Sequence, residues 1–290
     1  MLRELPDPVP APAELLVTVT AAGVNRADRS RIDGTYAAPP RLPFIPGSEI
    51  VGHTADGRRV AGVRLDGGGY ATAAAFPSST VVDVPPGVPD GVALALLVQG
   101  LTAWHALRSG ARLGAGDGRT VAIGAAAGGV GSLAVQLARH FGAGRVLAVA
   151  STPEKRELAL ALGADAAAES YADLGERPDV ILDASDFRGA LAALAPFGTL
   201  VTYGDSAGAG LPPVDPSWLM DHNLAVAGFW LRPALRLTGA FQEPLSAMFG
   251  LFEAGILTPP PTTEYPLPDA ARALDALLSR RTTGKLVLRP

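Results

Sequence analysis

The chain has 290 residues, with 24 Lys and Arg against 28 Asp and Glu, a formal charge of −4, and 48% hydrophobic to 18% charged residues. That balance buries a core and excludes a disordered chain. Without a basic block it also excludes the phosphate-neutralising surface on which nucleic-acid binding depends.

Cysteine is absent, which removes disulfides, thiolate nucleophiles, iron–sulfur clusters and every zinc site that needs sulfur. His53, His105, His140 and His222 are scattered, with no i,i+4 pair and no HExxH frame, so no metal is expected. The mean hydropathy is +0.24, yet no apolar run in the sequence reaches the ~18–20 residues of a membrane span. Met1-Leu2-Arg3-Glu4 opens no signal-peptide core. A soluble, cytoplasmic protein of one large or two ordinary domains is the expectation. Lys155 and Lys285 are the only lysines. A GC-rich codon bias accounts for the excess of Arg, and each surviving lysine hints that a compact ammonium is wanted there.

Residues 14–22 (ELLVTVTAA) alternate and are rich in β-branched side chains, so they read as a strand. Residues 23–36 mix Asn, Asp, Arg and Gly as a functional loop or short helix does. After Pro39-Pro40 and the turn at 43–47, short apolar pieces at 50–51, 59–63, 70–75 and 80–84 predict small strands of a β-rich unit, closed by Pro85-Pro86-Gly87. Residues 92–107 predict a helix. A strand–helix rhythm then begins: strand 120–123, helix 128–141, strand 145–150, helix 154–162, strand 180–184, helix 187–194, and strands 199–203 and 224–230. Such alternation predicts a doubly wound parallel sheet. Helices at 241–254 and 269–279 and a strand at 285–288 close the chain. This tail is too small to hold a core alone and must pack on another unit.

The sharpest local signal is Gly124-Ala125-Ala126-Ala127-Gly128-Gly129-Val130-Gly131, between a predicted strand and a predicted helix. Small residues there let a backbone approach a pyrophosphate, which the helix N-terminus holds through its N–H groups and dipole. The pattern is a variant, with Ala126 in the first glycine's place, and tight packing is the structural alternative. The next strand ends in Val149-Ala150-Ser151-Thr152 without the acid that holds an NAD ribose. Ser151 and Lys155 suit a 2′-phosphate instead, so NADPH is favoured. Glu154 falls in the helix's first turn, where it complements the dipole.

These pieces resemble the medium-chain dehydrogenase/reductase superfamily, and within it the zinc-free quinone oxidoreductase (zeta-crystallin-like) branch, to which polyketide enoyl reductase domains are related. The matching stretches are GVNRAD (23–28), GTY (34–36), PGSEIVG (46–52), GGYA (68–71), QGLTAW (99–104), GAAAGGVG (124–131), VQLAR (135–139), LGAD (162–165) and TTGKLVL (282–288). They follow the family's order from end to end. The resemblance implies an α/β protein: a GroES-like catalytic domain from residues 1–92 and 232–290, with a Rossmann domain, 93–231, inserted between. It implies zinc-free hydride transfer from NADPH to a quinone or an activated C=C bond of a small molecule, and a homodimer paired through the strand at 224–230. Zinc-dependent relatives carry a His where this chain has Ser48.

Residue by residue, the resemblance places Asn25 beside the nicotinamide and substrate, with Asp28 as its neighbouring carboxylate and Tyr36 at the protonation face of the α-carbon. Thr102 falls at the nicotinamide ring. Gly124, Ala126, Ala127, Gly128, Gly129, Val130 and Gly131 fall at the pyrophosphate, and Ser151, Lys155 and Tyr171 at the 2′-phosphate. Gly204 falls on the adenosine side, Phe229 and Leu231 at the carboxamide, and Lys285 near the pyrophosphate. Structural alternatives stand beside these roles: a turn and helix cap for Asn25 and Asp28, a packing aromatic for Tyr36, and solvated cations for Lys155 and Lys285. Relatives often carry Tyr and Arg where this chain has Ser30 and Ile32, and the segments 52–60 and 61–69 are compressed. These departures motivate a second reading, a catalytically weak NADPH-binding sensor or scaffold.

Overall fold

In the computed structural model, which describes residues 2–206, 208, 210–279 and 282–290, the strand Glu14–Val24 organises the first of two units. Val17 and Val19 face inward between more exposed neighbours, whereas the strand is buried throughout from Ala21. A register shift between Val19 and Ala21 lets this strand serve several partners. Glu49–Thr54 pairs along one edge, while Ala73–Pro77 and then Lys285–Arg289 share the other, all antiparallel. The seven-stranded sheet runs Thr262–Pro266, Lys285–Arg289, Glu14–Val24, Glu49–Thr54, Arg59–Val63, Val81–Asp83, with Ala73–Pro77 off this path.

The last strand is thus an interior strand of the sheet that the first strand begins. Thr262–Pro266 and Lys285–Arg289 are parallel, so a crossover must join them. The helix Ala270–Leu278 supplies it, burying Ala273 and Leu274 against Val17, Val19, Phe76, Leu286 and Leu288. The short helix Arg26–Ile32 follows the first strand.

The second unit comprises Thr102–Ala234 and Ile256–Thr258. Its six strands are all parallel, in the order Ala225–Gly228, Thr199–Thr202, Val180–Asp183, Thr120–Ile123, Arg145–Val149, Ala166–Ala168. Strand order reverses between Thr120–Ile123 and Val180–Asp183, the switch point at which doubly wound sheets bind ligands. The helix Gly129–His140 buries Leu133, Ala134, Leu137 and Ala138, one face at i, i+4 spacing. Pro153–Ala161 starts on Thr152, whose hydroxyl accepts from Lys155 N–H, with Pro153 in the first turn. Gly163, at φ +103°, follows its end.

Several elements differ from expectation. Ala166–Ala168 is a strand although alanine has little β preference, because it completes the edge beside Arg145–Val149. Pro216–His222 is a helix and Thr262–Pro266 a strand. The helix expected at 92–107 runs from Asp90 to Gly110, with π-helical turns at Leu96–Gly100 and Ala106–Gly110. The expected boundary at 92/93 therefore falls inside a helix, and the units divide after Leu101 and after Ala234. This 21-residue helix is long and apolar enough to cross a membrane, contrary to the expectation from apolar runs, yet 72% of its apolar window is buried inside the protein. It is a core helix.

Candidate functional site

The glycine-rich turn lies in the second unit, between Thr120–Ile123 and Gly129–His140. Its glycines do different work. A Cβ on Gly124 would overlap Asp183 Oδ1 and the Tyr171 hydroxyl, and one on Gly131 would overlap the Ala125 carbonyl. Both are glycine because protein packs there. Gly128 is exposed and has only the Ala125 carbonyl near its Cβ position, at 3.0 Å. Ala125 is also exposed, at φ +47°. Ala126 and Ala127 are buried, and Ala126 N–H donates to Val149 O at 3.0 Å. The helix then begins at Gly129, Val130 and Gly131 with no side-chain cap, so the first N–H groups have no partner within the helix. An open backbone face ahead of an uncapped helix N-terminus fits a dinucleotide pyrophosphate.

At the end of the neighbouring strand, Ser151 is exposed and Lys155 lies on the first turn of Pro153–Ala161. A second cation, Arg156, donates to Ala150 O at 2.9 Å. Sequence reasoning missed it, though its place one residue after Lys155 was the available signal. Glu154 has its carboxyl held below the usual range, first by the Thr152 hydroxyl. No acid caps the strand itself. The donor set fits a 2′-phosphate.

Gly204 lines a cleft of ≈ 420 Å³ with Asp183, Ser185, Arg188 and Thr202, at the C-terminal ends of Val180–Asp183 and Thr199–Thr202. Thr102 and Leu231 are buried. Phe229 N–H donates to Thr202 O at 2.8 Å, and its ring stacks on His105, centroids 6.0 Å apart and 22° between planes. His105 stands one helical turn beyond Thr102 on the same helix.

A second cluster lies in the first unit, around Arg26–Ile32. Asn25 is the N-cap, and its N–H donates to Asp28 Oδ2 at 2.9 Å. Asp28 is 1% exposed. It also accepts from Ser48 Oγ at 2.7 Å, Tyr70 OH at 3.1 Å and Arg31 Nη1 at 3.4 Å. Burial raises the Asp28 pKa, and the bonds from Ser48, the Asn25 N–H and Arg31 only partly offset it. Arg31 Nη1 donates to Ser48 Oγ at 2.5 Å, and the guanidinium lies 4.4 Å from the centroid of the half-buried Tyr36 ring. A further buried carboxylate system stands beside it. Glu49 pairs with Lys285 and accepts the Val98 N–H at 2.9 Å, inside the π-helical turn. Side-chain entry into a helical ladder is a recognised cause of such irregularity. Gly23 is required alongside, because a Cβ there would overlap the Glu49 carboxyl.

Residues 11–64 match the alcohol dehydrogenase GroES-like domain family and residues 129–248 the zinc-binding dehydrogenase family. A probable quinone oxidoreductase of Schizosaccharomyces pombe is 34% identical over 307 residues, covering 97% of this chain and 90% of that protein. The chain belongs to the zinc-free quinone oxidoreductase branch of the medium-chain dehydrogenase/reductase superfamily. The quinone oxidoreductase of Thermus thermophilus, solved also as its complex with NADPH, superimposes with a TM-score of 0.88 at 38% identity, over 100% of this chain and 96% of that one. A phthioceranic/hydroxyphthioceranic acid synthase of Mycobacterium tuberculosis is 31% identical over 315 residues, 96% of this chain but 14% of that protein.

Within this family frame three residue assignments change. The resemblance puts Lys285 near the pyrophosphate, but it is 0% exposed. Its ammonium forms an ion pair with Glu49 and donates to Asn25 Oδ1 at 3.0 Å and Val24 O at 3.4 Å. Tyr171 is expected at the 2′-phosphate, but it is buried and donates to Asp183 Oδ1 at 2.9 Å beneath Gly124. Asp28 is expected among the catalytic residues, but its buried carboxylate is enclosed by protein donors. It holds the Asn25 N–H at the start of the helix Arg26–Ile32. Despite the zinc-binding family description, the donor set does not fit zinc. Cysteine is absent, and no group of three or more His, Asp or Glu side chains among the described residues is placed to share an ion.

Proposed function

We propose that this chain is an NADPH-dependent oxidoreductase that reduces a quinone or an activated C=C bond of a small molecule by hydride transfer. The observation that carries the reading is the turn before an uncapped helix, where Ala125 and Gly128 are exposed, followed by an acid-free strand end with Ser151 and Lys155. Quinone as acceptor is supported by the family. The alkene alternative rests on the family's relation to enoyl reductases. When bound, NADPH supplies the hydride, and the balance is NADPH + H⁺ + acceptor → NADP⁺ + reduced acceptor. Without a Lewis acid, the oxygen that gains charge needs hydrogen-bond donors from the protein. Asn25 is proposed as one, and Tyr36 as the source of the proton.

The test is steady-state NADPH oxidation with a panel of quinones and enones. Turnover of at least one class supports the reading. Tight NADPH binding without turnover of any supports the sensor or scaffold alternative instead. Assembly as a homodimer through the strand Ala225–Gly228 is part of the same proposal.

A further inference from the structure

We infer that Lys285 is a positioning residue, which fixes the Asn25 carboxamide with its N–H₂ group directed away from the protein's own acceptors, as the donor to the substrate oxygen that gains charge. This rests on the oxidoreductase reading above. Lys285 Nζ lies 3.0 Å from the Asn25 side-chain oxygen. An ammonium only donates, so the atom facing it must be the carbonyl end of the amide. The orientation that is ambiguous for most Asn side chains is therefore fixed by charge here. The amide nitrogen, Nδ2, is buried and has no acceptor among the described residues. A buried donor left unpaired is costly, and this one is held unpaired by a fully buried ion pair on its other side.

The surroundings explain why the amide cannot relax. Glu49 anchors Lys285 and is itself anchored by the Val98 N–H. Gly23 leaves room for the Glu49 carboxyl. The Asn25 backbone is held by Asp28 through its N–H. Rotation would turn Nδ2 towards the ammonium, donor against donor. The same contact polarises the amide, because a cation on the oxygen end strengthens the N–H₂ donors. A pre-oriented, polarised donor is what a carbonyl oxygen requires as hydride addition places the electron pair on it, before protonation completes the reduction.

The test compares Asn25→Asp, which keeps an oxygen for Lys285 and loses the donor, with the double variant E49Q/K285M. The double variant removes both buried charges together, so neither is orphaned. With 1,4-benzoquinone, Asn25→Asp is expected to lower kcat about 10²-fold, the usual loss for one oxyanion donor. E49Q/K285M is expected to lower it about tenfold on the same principle, with the donor present but no longer oriented. The NADPH Kd, read from nicotinamide fluorescence, should stay within about threefold for both, since neither variant removes a phosphate donor. Adding Asn25→Asp to E49Q/K285M should then cost no more than Asn25→Asp alone, because both act through one N–H. Losses that multiply, or a change confined to NADPH affinity, would overturn the inference.

A readout independent of turnover is the Asn25 side-chain ¹⁵N–¹H₂ signal, identified by its disappearance in Asn25→Asp. It should move in E49Q/K285M further than the backbone signals of Arg26–Ile32, and an unmoved signal would overturn the inference. If the double variant fails to fold, the wild-type signal decides. Its protons should shift downfield when benzoquinone is added to the NADP⁺-loaded protein, and no shift refutes the donor role. A wild type that oxidises no NADPH with any acceptor sinks the oxidoreductase reading, while the comparison of signals still tests whether Lys285 orients Asn25.

Discussion

Asp28 is a carboxylate whose neighbours decide its role. Its two oxygens serve a backbone N–H, a serine, a tyrosine and a buried arginine, and burial raises its pKa ahead of any other influence. Asp28→Ala leaves Arg31 buried without its counter-charge, so we expect a loss of about 3–5 kcal/mol in stability, measured by urea unfolding. Lys155 is expected to act on the cofactor alone. Lys155→Ala should weaken NADPH by about 1.5–3 kcal/mol, the worth of a charge-assisted hydrogen bond, and leave NADH binding unchanged in parallel titrations. Equal wild-type affinity for the two cofactors would defeat the assignment. Tyr36 bears the proton-donor proposal. Tyr36→Phe should slow enone turnover ~10²–10⁴-fold without altering NADPH affinity, and a mutant with normal rate and product stereochemistry would make water the donor.

Among elements, the N-terminal end of the helix Asp90–Gly110 is tied to the first unit's sheet by charge. Asp90 accepts from Arg59 at 2.6 Å and from Arg289 at 2.6 Å, and Arg289 also reaches Glu264 at 2.5 Å. Burial pushes the Asp90 pKa up, but the two arginines outweigh it and the net shift is downward from 3.8. A carboxylate depressed in the folded state adds stability above its unfolded pKa, and that stability is lost as the pH falls through the folded value. Asp90→Asn should therefore lower stability at pH 7 by about 1–3 kcal/mol. The difference from wild type should shrink as the pH falls below 3.8, followed by urea unfolding at each pH. A gap that persists at the lowest pH would assign the effect to packing rather than charge.

For the whole molecule, the strand Ala225–Gly228 pairs only with Thr199–Thr202 among the described residues and leaves its other edge open. Such edges are covered or paired in native proteins. Nearby apolar side chains are exposed in the same unit: Phe197 at 82%, Met220 at 75% and Trp230 at 37%. Like strands meeting across a two-fold axis would pair the edge. Light scattering at micromolar concentration should give twice the 29.6 kDa chain mass. A monomer with the strand exposed would refute it.

The sequence by itself determined the elements whose signals are local. The strand–helix alternation from Thr120 follows from period and punctuation, as does the glycine-rich turn before Gly129–His140. The places of Ser151, after the next strand, and Lys155, on the first turn of the following helix, follow from the same local pattern. Tertiary structure decided what depends on distant partners. Ala166–Ala168 is a strand only through its neighbour. Tyr171 turns to Asp183 because Gly124 leaves room for both. Glu49 gave a weak signal, a carboxylate in an apolar strand that must find a cation. The cation it finds, Lys285, also holds Asn25 from 260 positions away. No local pattern encodes that contact. It exists because the last strand enters the sheet beside the first, and a charge buried there must be matched by whatever the fold brings to it.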